Sequence, residues 1–96
     1  MHADACTFLG RGRGSRPPVG LVFIDPPYAQ AALLSEVLVA LAAGQWLCDR
    51  AEIIIERARI RGQASVLELA PGFYREAIRD YGQTSVEFLR GPARSR

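Results

Sequence analysis

The stretch "DPPY", residues 25 to 28, places an acid, two prolines and an aromatic ring directly after the apolar run "LVFI". Because each proline lacks a backbone N–H and holds φ at about −65°, Pro26 and Pro27 fix the groups around them. The Asp25 carboxylate and the Pro26 carbonyl suit the two hydrogens of an exocyclic amine, while Tyr28 could stack on the ring that carries it. Such acceptors orient the amine lone pair toward an electrophile and stabilise charge that develops on the nitrogen. The stretch therefore predicts a ligand-binding site rather than an ordinary turn.

The elements around this stretch predict a βαβ unit. Residues 21–25 and 51–58 are apolar runs rich in β-formers, typical of strands buried on both faces. Between them, residues 30–43 carry leucines and valines at helical spacing, and Gly44 stands where a C-cap is expected. Strand, helix and strand in this order favour parallel pairing, so the fold class is α/β. Asp25 is then expected at the carboxyl end of a parallel strand, where open α/β sheets bind ligands.

The last third of the chain predicts a different arrangement. In "FYREAIRDYGQTSVEFLR", residues 73–90, charged and apolar positions alternate on either side of "YGQT". This pattern is typical of an antiparallel β-hairpin, here over 73–81 and 84–90. We therefore expect parallel central strands, with 21–25 and 52–56 as neighbours, and a C-terminal hairpin at the sheet edge.

Composition limits what the chain can be. With 96 residues, 49% of them hydrophobic, the sequence predicts one domain over 1–96 with a flexible loop over 10–20. No apolar run is long enough to cross a membrane and no secretory signal is visible, so we expect a cytoplasmic protein without a membrane partner. Cys6 and Cys48 lack metal-ligand spacing and are expected to be reduced and buried, and no metal site is predicted. The twelve basic residues are all arginine, but a net charge of +2 is too small to establish a nucleic-acid partner.

Taken together, these motifs resemble a known family. "GLVFIDPPY", a helix ending at "GQWL", then "AEIIIE" and "YGQTSVEFLR" look like the C-terminal half of the RsmD-like methyltransferases, which methylate the exocyclic N2 of a guanine in small-subunit (16S) ribosomal RNA. "ADACTFL" matches the short acidic motif that precedes the catalytic strand in that family. The resemblance spans residues 3–90 and implies a partial Rossmann-like methyltransferase sheet.

The resemblance also implies roles for individual residues. Asp25 and the Pro26 carbonyl would hold the guanine amine, Pro27 would fix the loop and Tyr28 would stack on a flipped base. Asp4 would contact the adenine amine of S-adenosyl-L-methionine, and Ala5 would offer its backbone N–H to the same ring. The implied partner is ribosomal RNA or the assembling small ribosomal subunit.

The departures from the family keep alternatives open. The strand, glycine-rich loop and ribose-binding acid that open the family's fold do not precede Asp4, so we expect the cofactor half to be missing or supplied by another chain. "GRGRG", residues 10–14, lacks the preceding strand of a cofactor loop; it could be an Arg-Gly RNA patch or a solvated loop. Arg57 and Arg59 could meet RNA phosphates beyond the second strand. An inactive fragment, a nucleic-acid-binding module and a DNA adenine-N6 methyltransferase fragment remain as other interpretations.

Overall fold

The computed structural model describes residue 9 and residues 11–25, 31–58 and 69–94. Four strands and one helix lie in this part of the chain. They are β1 (Val19–Ile24), α1 (Ala31–Ala43), β2 (Leu47–Ala58), β3 (Tyr74–Tyr81) and β4 (Thr84–Arg90). The strands form one mixed sheet in the order β1-β2-β4-β3.

The predicted βαβ unit is confirmed. β1 and β2 are parallel neighbours, with Phe23 beside Ile54 and Ile24 beside Ile55, and α1 connects them. Leu34, Leu38 and Leu41 of the helix belong to the buried core, in which Leu34 and Leu38 are fully buried with Ile53 and Ile55 of β2. Burying an aliphatic side chain of this size contributes about 1.5–3 kcal/mol, so this layer is the main source of stability.

The end of α1 is a Schellman motif. The backbone N–H of Trp46 donates to the carbonyl of Leu41 (3.1 Å), and that of Gln45 donates to the carbonyl of Ala42 (3.1 Å). The left-handed residue of the motif is Gln45, with φ of 59°, and not the glycine before it. Gly44 is required for a different reason: a Cβ there would collide with the Leu9 carbonyl and the Trp46 ring.

The predicted C-terminal hairpin is also confirmed. β3 and β4 are antiparallel, and Tyr81 faces Thr84 across a two-residue turn. Gly82 occupies the first turn position with φ of 59°, a conformation that glycine adopts without steric cost and that type II′ turns require there. β4 also pairs antiparallel with β2, so β3 forms the sheet edge at this side.

The position of β1 corrects the prediction that both apolar strands are central. β2 lies inside the sheet, but β1 is an edge strand in the described part of the chain. Its side chains alternate: Val22 and Ile24 pack against the core, whereas Leu21 and Phe23 are each 58% exposed. The continuous apolar run predicted burial on both faces, and the described residues cover only one of them.

The amino-terminal part of β2 contains a bulge. The register with β1 shifts between Val19 and Leu21, and Arg50 adopts a left-handed φ of 52°. Residues 91–94 hold this bulge: Gly91 N–H donates to the Ala51 carbonyl (2.8 Å), and Arg94 N–H donates to the Asp49 carboxylate (2.6 Å). The segment after the last strand is therefore part of the sheet's structure.

Trp46 and Cys48 follow the helix and differ in burial. Trp46 belongs to the buried cluster, and its indole N–H donates to the Leu9 carbonyl at 2.8 Å. The Cys48 thiol is free, as expected, but the residue is half-buried instead of buried. Cys6 lies outside the described residues.

Candidate active site

The candidate site lies where β1 ends. Asp25 is the first residue after β1 and is exposed. Because β1 and β2 run in parallel, their carboxyl ends meet at the same edge of the sheet, as the sequence predicts. The strand that presents Asp25 is anchored by Val22 and Ile24, whose side chains pack against the core. Asp25 is therefore an exposed carboxylate at the end of a strand that is anchored to the core.

Asp25 has the chemistry of a hydrogen-bond acceptor for a ligand. Within the described part of the chain, no side chain or backbone group donates a hydrogen bond to its carboxylate. An ionised carboxylate accepts hydrogen bonds through both oxygens, which matches the two hydrogens of an amine. The geometry alone supports an amine or another cationic or donor-rich group as the ligand.

Glu56 lies next to Asp25 at the same edge. Ile24 is beside Ile55 in the register, so Asp25 and Glu56 follow at the same level on neighbouring strands. Glu56 faces Val86 on β4 and is half-buried.

Most of the other predicted site residues lie outside the described residues. This applies to the rest of the "DPPY" motif, to both predicted cofactor contacts and to one arginine: Pro26, Pro27, Tyr28, Asp4, Ala5 and Arg59. Their predicted roles stay predictions. Since both cofactor contacts are among them, the described residues offer no test of how S-adenosyl-L-methionine would fit.

Arg57 is placed differently from the expectation. β2 continues to Ala58, so Arg57 lies within the strand and not beyond its end. Its side chain is only 7% exposed, and its Nη1 donates to Oε2 of Glu87 at 2.8 Å. A guanidinium buried and paired in this way is not displayed to an RNA phosphate, so we do not carry Arg57 forward as a substrate residue.

The partner of Arg57 was missed by the sequence analysis. Glu87 is buried in β4, and its second carboxylate oxygen accepts a hydrogen bond from Nε of Arg75 at 2.8 Å. The alternation of side chains along each strand predicts this cluster. Arg57 is in phase with Ile53 and Ile55 on β2, and Glu87 is in phase with Leu89 on β4. Both charged side chains therefore point to the core face. Charged residues at core-facing positions predict a buried pair. We call Arg57, Glu87 and Arg75 the Glu87 cluster.

Residues 11–16, which include the described part of the arginine-glycine stretch, lie at the opposite end of β1 from Asp25. Arg13 Nε donates to the Gln45 carbonyl (2.7 Å), and the Arg16 guanidinium lies 5.7 Å from the centre of the Trp46 ring. The six residues of β1, at about 3.3 Å each, separate this segment from Asp25 by roughly 20 Å. This position excludes a role as the cofactor loop beside Asp25 and gives two of its arginines structural contacts.

Arg90 of β4 forms an ion pair with Glu76 of the neighbouring strand β3. Its Nε lies 3.1 Å from the Glu76 carboxylate. The hydrogen bond to Glu76 and the charge of that carboxylate raise the pKa of Arg90 above its ordinary value. Since arginine is protonated at neutral pH in any case, the shift does not change the charge of the site.

No helix among the described residues is long and apolar enough to cross a membrane. No group of three or more metal-ligating side chains occurs in residues 9, 11–25, 31–58 and 69–94.

The chain is an α/β protein with a parallel βαβ unit, a C-terminal antiparallel hairpin and an acid at the carboxyl end of β1. The chain belongs to the family described as "Conserved hypothetical protein 95", whose profile matches residues 1–90. No curated protein sequence gives a significant match.

Solved structures share this fold. The Escherichia coli protein described as "putative methyltransferase yhhF" is 24% identical, with a TM-score of 0.72, and the match covers 93% of this chain and 46% of that one. A "putative methylase" from Haemophilus influenzae is 18% identical, with a TM-score of 0.67 and coverages of 92% and 51%. A conserved hypothetical protein of Streptococcus pyogenes is 25% identical, with a TM-score of 0.59 and coverages of 81% and 46%. This chain thus spans about half the length of the solved structures that it matches.

Proposed function

We propose that this chain carries the target-base half of an S-adenosyl-L-methionine-dependent methyltransferase that acts on the exocyclic N2 of a guanine in small-subunit ribosomal RNA. The observation that carries the proposal is the position of Asp25: an exposed carboxylate at the carboxyl end of a parallel strand, with no hydrogen-bond donor among the described residues. The names of the E. coli and H. influenzae structures, a methyltransferase and a methylase, support methyl transfer as the reaction class. The choice of guanine rests on the resemblance of the "DPPY" region to the RsmD-like family.

In the proposed mechanism, Asp25 and the carbonyl of Pro26 accept the two hydrogens of the guanine amine. This interaction turns the nitrogen lone pair toward the methyl group and stabilises positive charge as it develops on the nitrogen. Tyr28 stacks on the base and holds it outside the RNA helix, because a base inside a duplex is unreachable. The cofactor, when bound, would supply the activated methyl group and leave as its thioether, and the proton lost from the methylated nitrogen would pass to Asp25 or to solvent.

The proposal assigns the rest of the cofactor site to the half of the fold that this chain does not span. Asp4 and Ala5 would contribute contacts to the adenine ring, and the glycine-rich loop and ribose-binding acid would come from the remaining half. On this proposal, activity requires both halves. The partner is ribosomal RNA, either free or in an assembling small subunit.

A hybrid protein tests the proposal. In it, this 96-residue chain replaces the matched part of the E. coli protein, whose remaining half is retained. The purified hybrid is incubated with labelled S-adenosyl-L-methionine and with three substrates: unmethylated small subunits, their naked RNA and adenine-containing duplex DNA. Digestion to nucleosides and mass spectrometry identify the product. We expect N2-methylguanosine from the ribosomal substrates.

The other outcomes assign the alternatives. N6-methyladenine from the DNA substrate would replace the proposal with the DNA adenine methyltransferase interpretation. Binding of RNA without label transfer, by a hybrid that binds the cofactor, would favour a non-catalytic nucleic-acid-binding module. If methyl transfer is unchanged when Asp25 is replaced, the activity does not depend on the site described above.

A further inference from the structure

The amino end of β1 and β2, opposite to Asp25, is rich in arginine. Arg13 precedes β1, and its Nε donates to the Gln45 carbonyl (2.7 Å). Arg94 follows β4, and its Nη1 donates to the Leu47 carbonyl (3.3 Å). The two carbonyls are two residues apart, so the two guanidinium nitrogens lie within roughly 13 Å of each other. Two parts of the chain that are distant in sequence therefore bring positive charge to the same α1–β2 connection.

Arg11 and Arg50 extend this group. Arg11 lies two residues before Arg13, and Arg50 lies in the bulge of β2, where its backbone N–H donates to the Pro92 carbonyl (3.1 Å). The side chains of Arg11 and Arg50 are exposed. We call the four residues the amino-end arginines: Arg11, Arg13, Arg50 and Arg94.

The amino-end arginines differ from the arginines of the sheet in their partners. Arg57 and Arg75 share the carboxylate of Glu87, and Arg90 is paired with Glu76. In the described part of the chain, none of the amino-end arginines forms an ion pair. A hydrogen bond to a carbonyl orients a guanidinium but does not compensate its charge, so this end of the molecule attracts anions.

The charge of the chain is concentrated at this end. The three segments that meet there are 11–16, 45–50 and 91–94. They hold five arginines and one acid, a net charge of +4, whereas the whole chain has +2. The acid is Asp49, whose carboxylate accepts the backbone N–H of Arg94. The rest of the chain is therefore net negative.

The carboxyl end of the same strands has the opposite character. Asp25 and Glu56 lie there on neighbouring strands, and their carboxylates repel the phosphates of an approaching RNA. These two residues therefore supply no affinity for an RNA backbone. Guanidinium groups do, because their forked donors match phosphate oxygens and their charge releases counterions from the nucleic acid.

We propose that the amino-end arginines bind the phosphate backbone of the RNA substrate at a second surface, roughly 20 Å from the carboxylate that receives the target base. This distance corresponds to about six stacked nucleotides at about 3.4 Å each, so a folded RNA reaches both surfaces and a single nucleotide does not. The inference rests on the proposed function for the identity of the ligand, but it concerns binding and not methyl transfer.

RNA binding by the 96-residue chain tests the proposal without cofactor. The probe is a fluorescein-labelled fragment of small-subunit ribosomal RNA, and anisotropy is measured over a series of KCl concentrations. Arg11→Gln and Arg50→Gln are the informative variants, because neither side chain makes a contact in the described part of the chain. Each should weaken binding about fivefold at low salt. Each should also lower the slope of log K against log salt by about 0.7–0.9, since one phosphate fewer is neutralised.

Arg79→Gln is the matched control. Arg79 is exposed, forms no ion pair with a described residue and lies on β3 in the half nearer the hairpin turn, so the change of net charge is the same at a different place. It should change affinity by less than about twofold and leave the salt slope unchanged. Thermal unfolding should give the parent Tm for all three variants. Equal weakening by all three would show an effect of net charge alone and would overturn the proposal.

Two further results would also contradict it. The first is an absence of measurable RNA binding by the 96-residue chain. The second is loss of polyglutamate binding in Arg11→Gln and Arg50→Gln with RNA binding unchanged, which would assign the surface to an acidic polypeptide.

The hybrid distinguishes this proposal from the proposed function. In the hybrid, Arg50→Gln should raise KM for small subunits and leave kcat unchanged, because the surface is remote from the reacting atoms. If RNA binding depends on these arginines but the hybrid transfers no methyl group, the surface stands and the proposed function fails. If the hybrid methylates guanine and both arginine variants bind RNA like the parent, the reverse holds.

Discussion

Arg57 and Glu87 form a buried ion pair between neighbouring strands, with 2.8 Å between Nη1 and Oε2 and less than a tenth of either side chain exposed. Arg75 approaches the same carboxylate from β3. The Glu87 cluster thus connects the parallel half of the sheet to the hairpin. A buried charge that loses its partner is desolvated without compensation. A single substitution in the pair should therefore strongly destabilise the folded chain.

Removal of Glu87 should destabilise the chain strongly. We expect Glu87→Ala to lower the free energy of unfolding by about 3–5 kcal/mol, which is a large part of the roughly 5–15 kcal/mol typical of a whole domain. Arg75→Ala should cost less, because Arg75 is partly exposed. Replacing the pair together, as Arg57→Met with Glu87→Leu, should be close to neutral. Urea unfolding measures the stability of all three variants. A double variant that is less stable than Glu87→Ala would contradict the assignment of Arg57 and Glu87 as a buried ion pair.

Replacement of Asp25 should affect the chemical step. In the hybrid, Asp25→Ala should lower kcat by about 10²–10³, by analogy with the loss of one preorganised group that stabilises developing charge. Cofactor affinity should stay close to the parent value, because Asp25 is assigned to the target amine. Glu36→Gln is the control, since Glu36 is an exposed carboxylate on α1. Single-turnover rates and equilibrium dialysis separate the two effects, and a matched fall in cofactor affinity would place Asp25 in the cofactor site instead.

Replacement of Tyr28 should affect capture of the base. Loss of one stacked ring costs about 1–3 kcal/mol, so Tyr28→Ala should weaken RNA binding by the hybrid accordingly. Tyr28→Phe should retain binding and activity because stacking does not use the hydroxyl. Fluorescence titration with a ribosomal RNA fragment checks both variants. A loss of equal size in Tyr28→Phe would show that the hydroxyl, and not the ring, makes the contact.

The 96-residue chain should bind S-adenosyl-L-methionine weakly or not at all. It spans about half of the structures that it matches, and the proposed glycine-rich loop and ribose acid belong to the other half. Each loss of about 1.4 kcal/mol of binding energy lowers affinity tenfold. Calorimetric titration of the chain beside the hybrid measures the difference. Low-micromolar binding by the chain alone would show that these 96 residues contain the cofactor site.

Addition of a methyl group at Gly44 should destabilise the end of α1. A Cβ at this position would collide with the Leu9 carbonyl and the Trp46 ring, so Gly44→Ala should cost about 1–3 kcal/mol through overpacking. Gly20→Ala is the control, because a Cβ there meets nothing within 4 Å. Thermal unfolding compares the two. Equal stability of both variants would contradict the close packing around Trp46.

Local patterns predicted most of the fold. Leucine spacing was sufficient for α1, and "YGQT" was sufficient for the hairpin, because both depend on contacts between residues close in the chain. The edge position of β1 could not be predicted in this way. An apolar run indicates how much surface a strand can bury, but which neighbour buries it depends on distant parts of the fold. Leu21 and Phe23 carry the pattern of a buried strand without a described partner.

The site was predicted in part. The place of Asp25 at the carboxyl end of β1 followed from the βαβ order, which fixes the direction of the strand. Arg57 was placed wrongly because the end of β2 was set too early, and helix and strand ends are the least constrained features of a sequence pattern. Had strand parity been followed to Ala58, Arg57 would have been assigned to the core face with Ile53 and Ile55.

The contacts of residues 91–94 with the bulge of β2 have a consequence for the order in which the protein can fold during synthesis. β4, which lies between β2 and β3, is the last of the described strands in chain order, and the segment that contacts Asp49 and Arg50 follows it. The amino end of β2 therefore completes its contacts only when a segment about forty residues later in the sequence has been synthesised. Such distant contacts slow folding because the intervening chain must first be ordered. These contacts of β2 can form only after residues 91–94 have left the ribosomal exit tunnel.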